Sequence, residues 1–319
     1  MHIIQITPAD KGAKSGNGTT AARWAKLLGN LGHQVTTQST YDGRAADLMI
    51  AIHAWRSAEA VVRFKKLFPY RPLILCLAGT DINQFIQTHP EITLRSMELA
   101  DVLIGLNETV KSLTPRHFRR KIRIIHQSAK PLPSPRQPPE RHFNVCVIGH
   151  LRSVKDPFRS ALAVRDLPET SRIHVRHLGG AEEKGFDKQA LVEMKRNLRY
   201  NWIGEVPGWR VRQEFARSHL MVISSLAEGG ANVVSEAIVA GLPVIASKID
   251  GNVGLLGKGY RGYFPVGDEA ELRKLLLRAE NDPAFLKTLE EQCAARRDLF
   301  LPETEQAALG KLVELSPSP

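Results

Sequence analysis

The sequence predicts an α/β protein made of two Rossmann-like halves, each a parallel sheet with helices on both faces. Two observations give that class. Short apolar runs alternate with longer amphipathic stretches along almost the whole chain, the signature of repeated β-α-β units. A proline-rich segment at 129–141 interrupts the alternation, and the same pattern then restarts. A length of 319 residues at 43% hydrophobic composition leaves room for two cores of ordinary size.

In the first half, strands are expected at 2–7, 33–37, 47–53, 72–78, 102–106 and 122–126. Helical spacing occupies 19–31, 57–68, 92–99 and 108–118. Ala22, Leu27, Leu28 and Leu31, for instance, can share one helix face. The run AKPLPSPRQPPE has five prolines and reads as a stiff, extended linker with no core of its own. Beyond it, strands are expected at 143–149, 172–178, 202–203, 220–224 and 243–246. Helices are expected near 158–166, 182–198, 209–218, 232–240, 269–280 and 283–299. The domains therefore run 1–128 and 142–300, joined by the linker 129–141, with 301–319 as a C-terminal segment.

A net charge of +11 favours anionic partners. The cations are scattered, and no helix-turn-helix, RNP or zinc-finger pattern occurs, so small phosphorylated molecules are expected rather than nucleic acid. Cys76, Cys146 and Cys293 are far apart and form no CxxC pair. A disulfide framework or zinc site is not expected, and a reducing cytoplasm is the simplest setting. MHIIQITP reads as a first strand rather than a signal peptide, and no apolar run reaches the roughly 18 residues of a membrane span. HExxH, GxSxG and D-x-D are all missing. Metal and serine-nucleophile chemistry are disfavoured, and no cofactor is expected.

In sheets of this kind ligands bind beyond the carboxyl ends of the strands, and two such sheets facing one another would enclose a cleft. The stretch AEGGANVVSEAIVAG follows the 220–224 strand. A helix starting near Asn232 would present the backbone N–H groups of Gly230, Ala231, Asn232 and Val233 to an anion, and Gly229 and Gly230 permit close approach. Glu228 stands on the loop and Glu236 about one turn into the helix, where both can accept hydrogen bonds from ligand hydroxyls. Asn232 could instead be an ordinary N-cap, and Glu236 a surface residue.

The stretch VIGHLRSVKDP follows the first strand of the second half. Gly149 permits a tight turn, and Arg152 and Lys155 could clamp a diphosphate and stabilise it as a leaving group. In the first half, KGAKSGNGTT is a Gly-rich loop that matches neither G-x-G-x-x-G nor a Walker A sequence. It offers Lys11, Lys14, Gly16 and Gly18 near an anion. His53, Arg56, Thr80 and Asp81 follow later strands. His53 could equally be a satisfied structural residue, and Asp81 a cap.

Together, E-x7-E after a strand, G-x-L-R-x-x-K at the first strand of the second half, and the Gly-rich loop resemble the retaining GT-B nucleotide-sugar glycosyltransferases. That resemblance implies that the second domain holds the nucleotide sugar and the first the acceptor. It puts Glu228 near the donor sugar, Glu236 at the ribose, Arg152 and Lys155 on the diphosphate, and the 204–209 loop with Val206 by the base. It also implies that residues 302–315 form a helix crossing back to the first domain. GHLRSVKDPFRSALA, EGGANVVSEAIVAGLPVIAS and GNVGLLG…GYFPVGD are similar to the selenosugar synthases of selenoneine biosynthesis. This narrower resemblance implies a UDP-sugar donor (UDP-N-acetylglucosamine or UDP-glucose) and selenophosphate as acceptor, with a 1-seleno-sugar, UDP and phosphate as products. It also implies functional coupling to a selenophosphate synthetase and a C–Se bond-forming oxygenase. Lys11, Lys14, Gly16, Gly18, His53, Arg56, Thr80 and Asp81 are then the expected acceptor residues. The competing expectation is a lipid or exopolysaccharide acceptor, which calls for a membrane-facing patch around Trp55, Arg56, Phe64, Lys65 and Lys66.

Overall fold

The computed structural model describes residues 1–8 and 16–314. Two compact units divide the chain: Met1–Ser128 together with the segment from Pro302, and Ala129–Leu301. Both are α/β.

In the first unit, β1 (His2–Ile6), α1 (Gly16–Asn30), β2 (Gln34–Gln38), β3 (Leu48–Ile52), α2 (Ala58–Leu67) and β4 (Leu73–Cys76) come first. A π-turn at Asp81–Phe85 leads into α3 (Ile86–Thr88), followed by α4 (Pro90–Leu99), β5 (Val102–Gly105), α5 (Val110–Leu113) and β6 (Ile122–Ile124). The strands pair in parallel in the order β2-β1-β3-β4-β5-β6. β3 and β4 are buried along their whole length. Central parallel strands are covered on both faces, which is why LMIAI and LILC are continuous apolar runs rather than alternating ones. The helix expected over 108–118 is broken: Thr114 turns extended (ψ 144°) before Pro115, and a 3-10 turn follows at Arg116–Lys121. Proline crowds the preceding residue out of the helical region.

In the second unit, β7 (Phe143–Ile148), α6 (Arg159–Val164), β8 (Ile173–Leu178), α7 (Phe186–Arg196), β9 (Tyr200–Gly204) and α8 (Gly208–Arg217) precede β10 (Leu220–Ile223). Then come α9 (Asn232–Val239), β11 (Val244–Ser247), α10 (Asp250–Leu256), β12 (Tyr263–Phe264), α11 (Glu269–Asn281) and α12 (Pro283–Ala294). The sheet order is β12-β11-β10-β7-β8-β9, all parallel. The order reverses at the β7/β10 pair, so the crevice between these two carboxyl ends is this unit's topological switch point. The proline-rich segment is pinned to this unit. Ala129 N–H donates to Phe300 O at 3.0 Å and Gln137 N–H to Ala216 O at 2.8 Å. The Arg136 guanidinium reaches Ser218 O at 2.8 Å and Glu290 at 2.6 Å.

The last helix, α13 (Pro302–Glu314), packs in the first unit. Its Leu309, Leu312 and Val313 join a core with Ala21, Trp24, Leu27 and Leu28 of α1. Buried Glu305 accepts from Trp24 Nε1 at 2.6 Å, Arg23 Nε at 2.8 Å and Ser128 N–H at 2.9 Å. Among the described residues no helix is long and apolar enough to cross a membrane.

Candidate functional site

In the second unit, the loops after β7 and β10 are stitched together. Leu226 N–H donates to Val154 O at 2.8 Å, and Ser224 Oγ donates to the carbonyls of Lys155 and Asp156 at 3.1 and 2.9 Å. These contacts bring the expected cation and carboxylate face to face at the switch point. Lys155 Nζ forms an ion pair with Glu228 Oε1, which also accepts from Ser225 Oγ at 2.6 Å. Neither side chain is freely solvated, with 24% and 11% of Lys155 and Glu228 exposed. Their charge-assisted contact is therefore screened less than a surface pair. The chain leaves Lys155 through Asp156, which adopts a left-handed φ of 43°. Arg159 Nε holds the Asp156 carboxylate at 2.8 Å.

Arg152 is half-exposed and pairs with Glu182 at 3.2 Å, and His150 Nε2 lies 3.5 Å from the same carboxylate. His150 Nδ1 accepts from Gly180 N–H at 3.1 Å, so its proton belongs on Nε2, facing Glu182. Helix α9 begins at Asn232, with Ala231 (φ −73°, ψ 97°) as its N-cap and no side chain capping it. Asn232 is thus the first helical residue and not the cap. Gly229, Gly230 and Val233 flank it half-buried, and Glu236 lies half-buried one turn on. The apolar neighbours Val234, Ala237 and Ile238 face the core. Val206 is half-buried in the loop between β9 and α8.

The glycine that the turn demands is Gly179 rather than Gly149. A Cβ on Gly149 would meet nothing within 4 Å, whereas one on Gly179 would lie 1.9 Å from Gly149 O. Below this contact, buried His177 bridges Gly149 O (Nε2, 3.0 Å) and the Tyr200 hydroxyl (Nδ1, 3.0 Å). Sequence reasoning missed His177, Gly179, Glu182 and Ser225. Only Gly179 carried a local signal, as half of a Gly-Gly pair directly after a strand.

In the first unit, the β1/β3 pair is the point where the strand order reverses. His53 follows β3 with a left-handed φ of 80°, a conformation costing on the order of 1–3 kcal/mol for a non-glycine residue. The surroundings hold it there. Asp81 Oδ1 lies 2.8 Å from His53 Nδ1, and Thr80 Oγ1 lies 2.9 Å from Nε2. The Asp81 carboxylate also accepts from the N–H groups of Ala54, Trp55 and Ala78 at 2.8, 3.1 and 2.9 Å.

Asp81 is fully buried and its acceptors are already used, so the expectation that it contacts a ligand directly is corrected: it holds His53. It does not serve as a helix N-cap either. His53 is buried as well, while Thr80 and Arg56 are exposed above it. Gly16 and Gly18 lie in the first turn of α1, not in an open loop. Lys11 and Lys14 lie outside the described residues. The patch expected for a lipid acceptor does not assemble. Phe64 is in the core, Trp55 stacks on Phe85 at 4.3 Å, and Lys65 is tied to Asp101 at 2.9 Å and Arg71 O at 2.8 Å.

The family described as "Glycosyl transferases group 1" matches residues 132–296. Glycosyltransferase 1 domain-containing protein 1 of Xenopus tropicalis is 23% identical over 270 residues, covering 76% of this chain and 78% of its own. Among solved structures, Anabaena HepE in complex with UDP superposes with a TM-score of 0.78 at 16% identity, over 98% of this chain and 100% of that one. Sucrose-phosphate synthase of Thermosynechococcus elongatus gives 0.81 at 16% identity, over 98% of each chain. HepE with UDP-glucose gives 0.74 at 18% identity, over 99% and 100%.

Proposed function

Because this chain belongs to the glycosyl transferases group 1 family and has the GT-B fold, we propose that it transfers a sugar from UDP-N-acetylglucosamine or UDP-glucose to selenophosphate. The reaction forms a C–Se bond. A selenium lone pair attacks C1 of the sugar as the C1–O bond to the diphosphate breaks and UDP leaves. Water then cleaves the P–Se bond, giving phosphate and the 1-seleno-sugar.

The observation that carries the donor half is the Lys155–Glu228 pair at the β7/β10 switch point. In this reading Lys155 and Arg152 neutralise the leaving diphosphate, whose charge grows in the transition state. Glu228 orients the sugar, and the N–H groups of Gly229, Gly230, Ala231, Asn232 and Val233 cradle phosphate or sugar oxygens. Glu236 binds the ribose, Gly149 lies beside the phosphates and Val206 beside the base. Complexes of HepE with UDP and with UDP-glucose support the choice of donor.

The acceptor half rests on the sequence similarity of GHLRSVKDPFRSALA and EGGANVVSEAIVAGLPVIAS to selenosugar synthases. Selenophosphate is small, multiply anionic and already nucleophilic. It asks for positioning and charge neutralisation more than for a general base. Arg56, Thr80, Gly16, Gly18, Lys11 and Lys14 are assigned to it, with His53 fixed beneath Thr80 by Asp81. No tightly bound metal or organic cofactor is part of the scheme. The setting is the cytoplasm, where a selenophosphate synthetase would supply the acceptor and a C–Se bond-forming oxygenase would use the product.

Mass spectrometry of products from the purified protein, selenophosphate and a panel of UDP-sugars tests this reading. A selenium-bearing hexose is expected. UDP release with polysaccharide or lipid acceptors but not with selenophosphate would replace the acceptor while keeping the donor.

A further inference from the structure

We propose that Ser225 is a positioning residue that aims the Glu228 carboxylate, and that Gly251 is the seat against which the Glu228 backbone rests. The inference rests on Glu228 being the donor-sugar carboxylate.

Ser225 is buried, with two directed contacts. Its Oγ proton goes to Glu228 Oε1 at 2.6 Å, and its carbonyl accepts from Ser247 Oγ at 2.6 Å. Ser247 is buried at the end of β11 and is held by Asn252 of α10, whose Nδ2 donates to Ser247 O at 2.9 Å and Oγ at 3.2 Å. Each hydroxyl has one proton and gives it forward, so the donors run in one direction from Asn252 through Ser247 and the Ser225 backbone. Ser225 then gives its own proton to the carboxylate. Every donor along this line is used, while Asn252 Oδ1 at its head has no protein hydrogen-bond partner among the described residues, so the order the line lends to Glu228 comes from its directed donors.

The second observation is steric. A Cβ on Gly251 would lie 2.3 Å from Glu228 O, well inside contact distance. α10 therefore packs its first turn directly on the Glu228 backbone, and only glycine allows it. Strand β11 and helix α10 thus fix the height of the loop, Ser225 fixes the carboxylate within it, and Lys155 meets that carboxylate from the β7 side. An orientation error of about 1 Å in such a group can cost on the order of a hundredfold in rate.

UDP affinity and UDP release from UDP-glucose and UDP-N-acetylglucosamine, measured with and without selenophosphate, test the inference in three variants. Ser225→Ala deletes one buried oxygen and is expected to fold. It should bind UDP within twofold of the parent, because UDP lacks the sugar that Glu228 addresses, while UDP release falls roughly ten- to a hundredfold. Ser225→Thr, which retains the hydroxyl, should recover at least part of that loss. Gly251→Ala should lose UDP release at least as severely. Unchanged release in Ser225→Ala overturns the proposal, as does an equal loss of UDP affinity and release, which a merely structural serine would give. Glu228→Gln separates the two readings. If it retains full release, the donor-sugar role of Glu228 fails first. If it is inactive while Ser225→Ala is normal, only the positioning role fails. Should the donors bind without measurable release, the ratio of UDP-sugar to UDP affinity replaces it, and an unchanged ratio in Ser225→Ala overturns the proposal.

Discussion

His177 donates its Nε2 proton to the carbonyl of Gly149 at 3.0 Å. A carbonyl can only accept, so Nδ1 is the acceptor from the Tyr200 hydroxyl at 3.0 Å. The neutral imidazole is the form this arrangement needs, and burial pushes its pKa down to about 4 from 6.5. The unfolded chain therefore binds the extra proton first as pH falls. The stabilisation is complete above pH 6.5 and is lost as pH drops towards 4, on the order of 3 kcal/mol in all. His219 is lowered to about 4 as well, chiefly by burial, and acts in the same direction. Thermal unfolding followed from pH 7 to pH 4.5 should show a falling Tm. His177→Phe should be less stable at pH 7 and show a flatter slope.

Lys155→Ala removes the cation that meets Glu228 and, in the proposed reaction, a neutralising charge on the leaving group. UDP release should fall about 10²- to 10³-fold. A fall smaller than threefold in a steady-state assay would take Lys155 out of the diphosphate site.

Gly179→Ala forces a methyl to within 1.9 Å of Gly149 O. Backbone must move, at a cost of about 1–3 kcal/mol for overpacking. Displacement of the turn that leads to Arg152 and Lys155 should weaken UDP binding about tenfold or more in calorimetry. A Cβ on Gly149 meets no protein atom within 4 Å, so Gly149→Ala should keep the parent's Tm, and a loss of UDP affinity in it would report crowding of the proposed phosphate site.

Glu305→Ala leaves Trp24 Nε1, Arg23 and Ser128 N–H without their shared acceptor. Breaking a buried charged network costs about 3–5 kcal/mol, with the lower end expected because Arg23 retains some exposure. Differential scanning calorimetry should record the loss.

The spacing of Glu228 and Glu236 was legible because it lies within one strand-loop-helix segment, and residue type and interval are local properties. The contacts that aim Glu228 were not. Ser225 is read through Ser247 and Asn252, which arrive from β11 and α10 only once the sheet has formed. Helix α10 itself, DGNVGLL, carries two glycines in seven residues, the poorest helix formers after proline. Burial of Leu255 and Leu256 overrides this. β12 is two residues long, too short to show a period. Asp81 follows a strand, where a ligand-facing residue is expected, but three backbone N–H groups and His53 turn it inward.

The placement of α13 bears on how a ribosome-bound chain matures. The second unit is one continuous insertion, while the first is completed by a helix synthesised only after that insertion is finished. During translation the side of α1 that α13 covers, where Trp24 and Arg23 meet Glu305, must wait for its partner while the 173 residues of the second unit (129 to 301) emerge. The first unit is therefore begun before the second and completed after it, and until α13 emerges the nascent protein offers chaperones a greasy helix face.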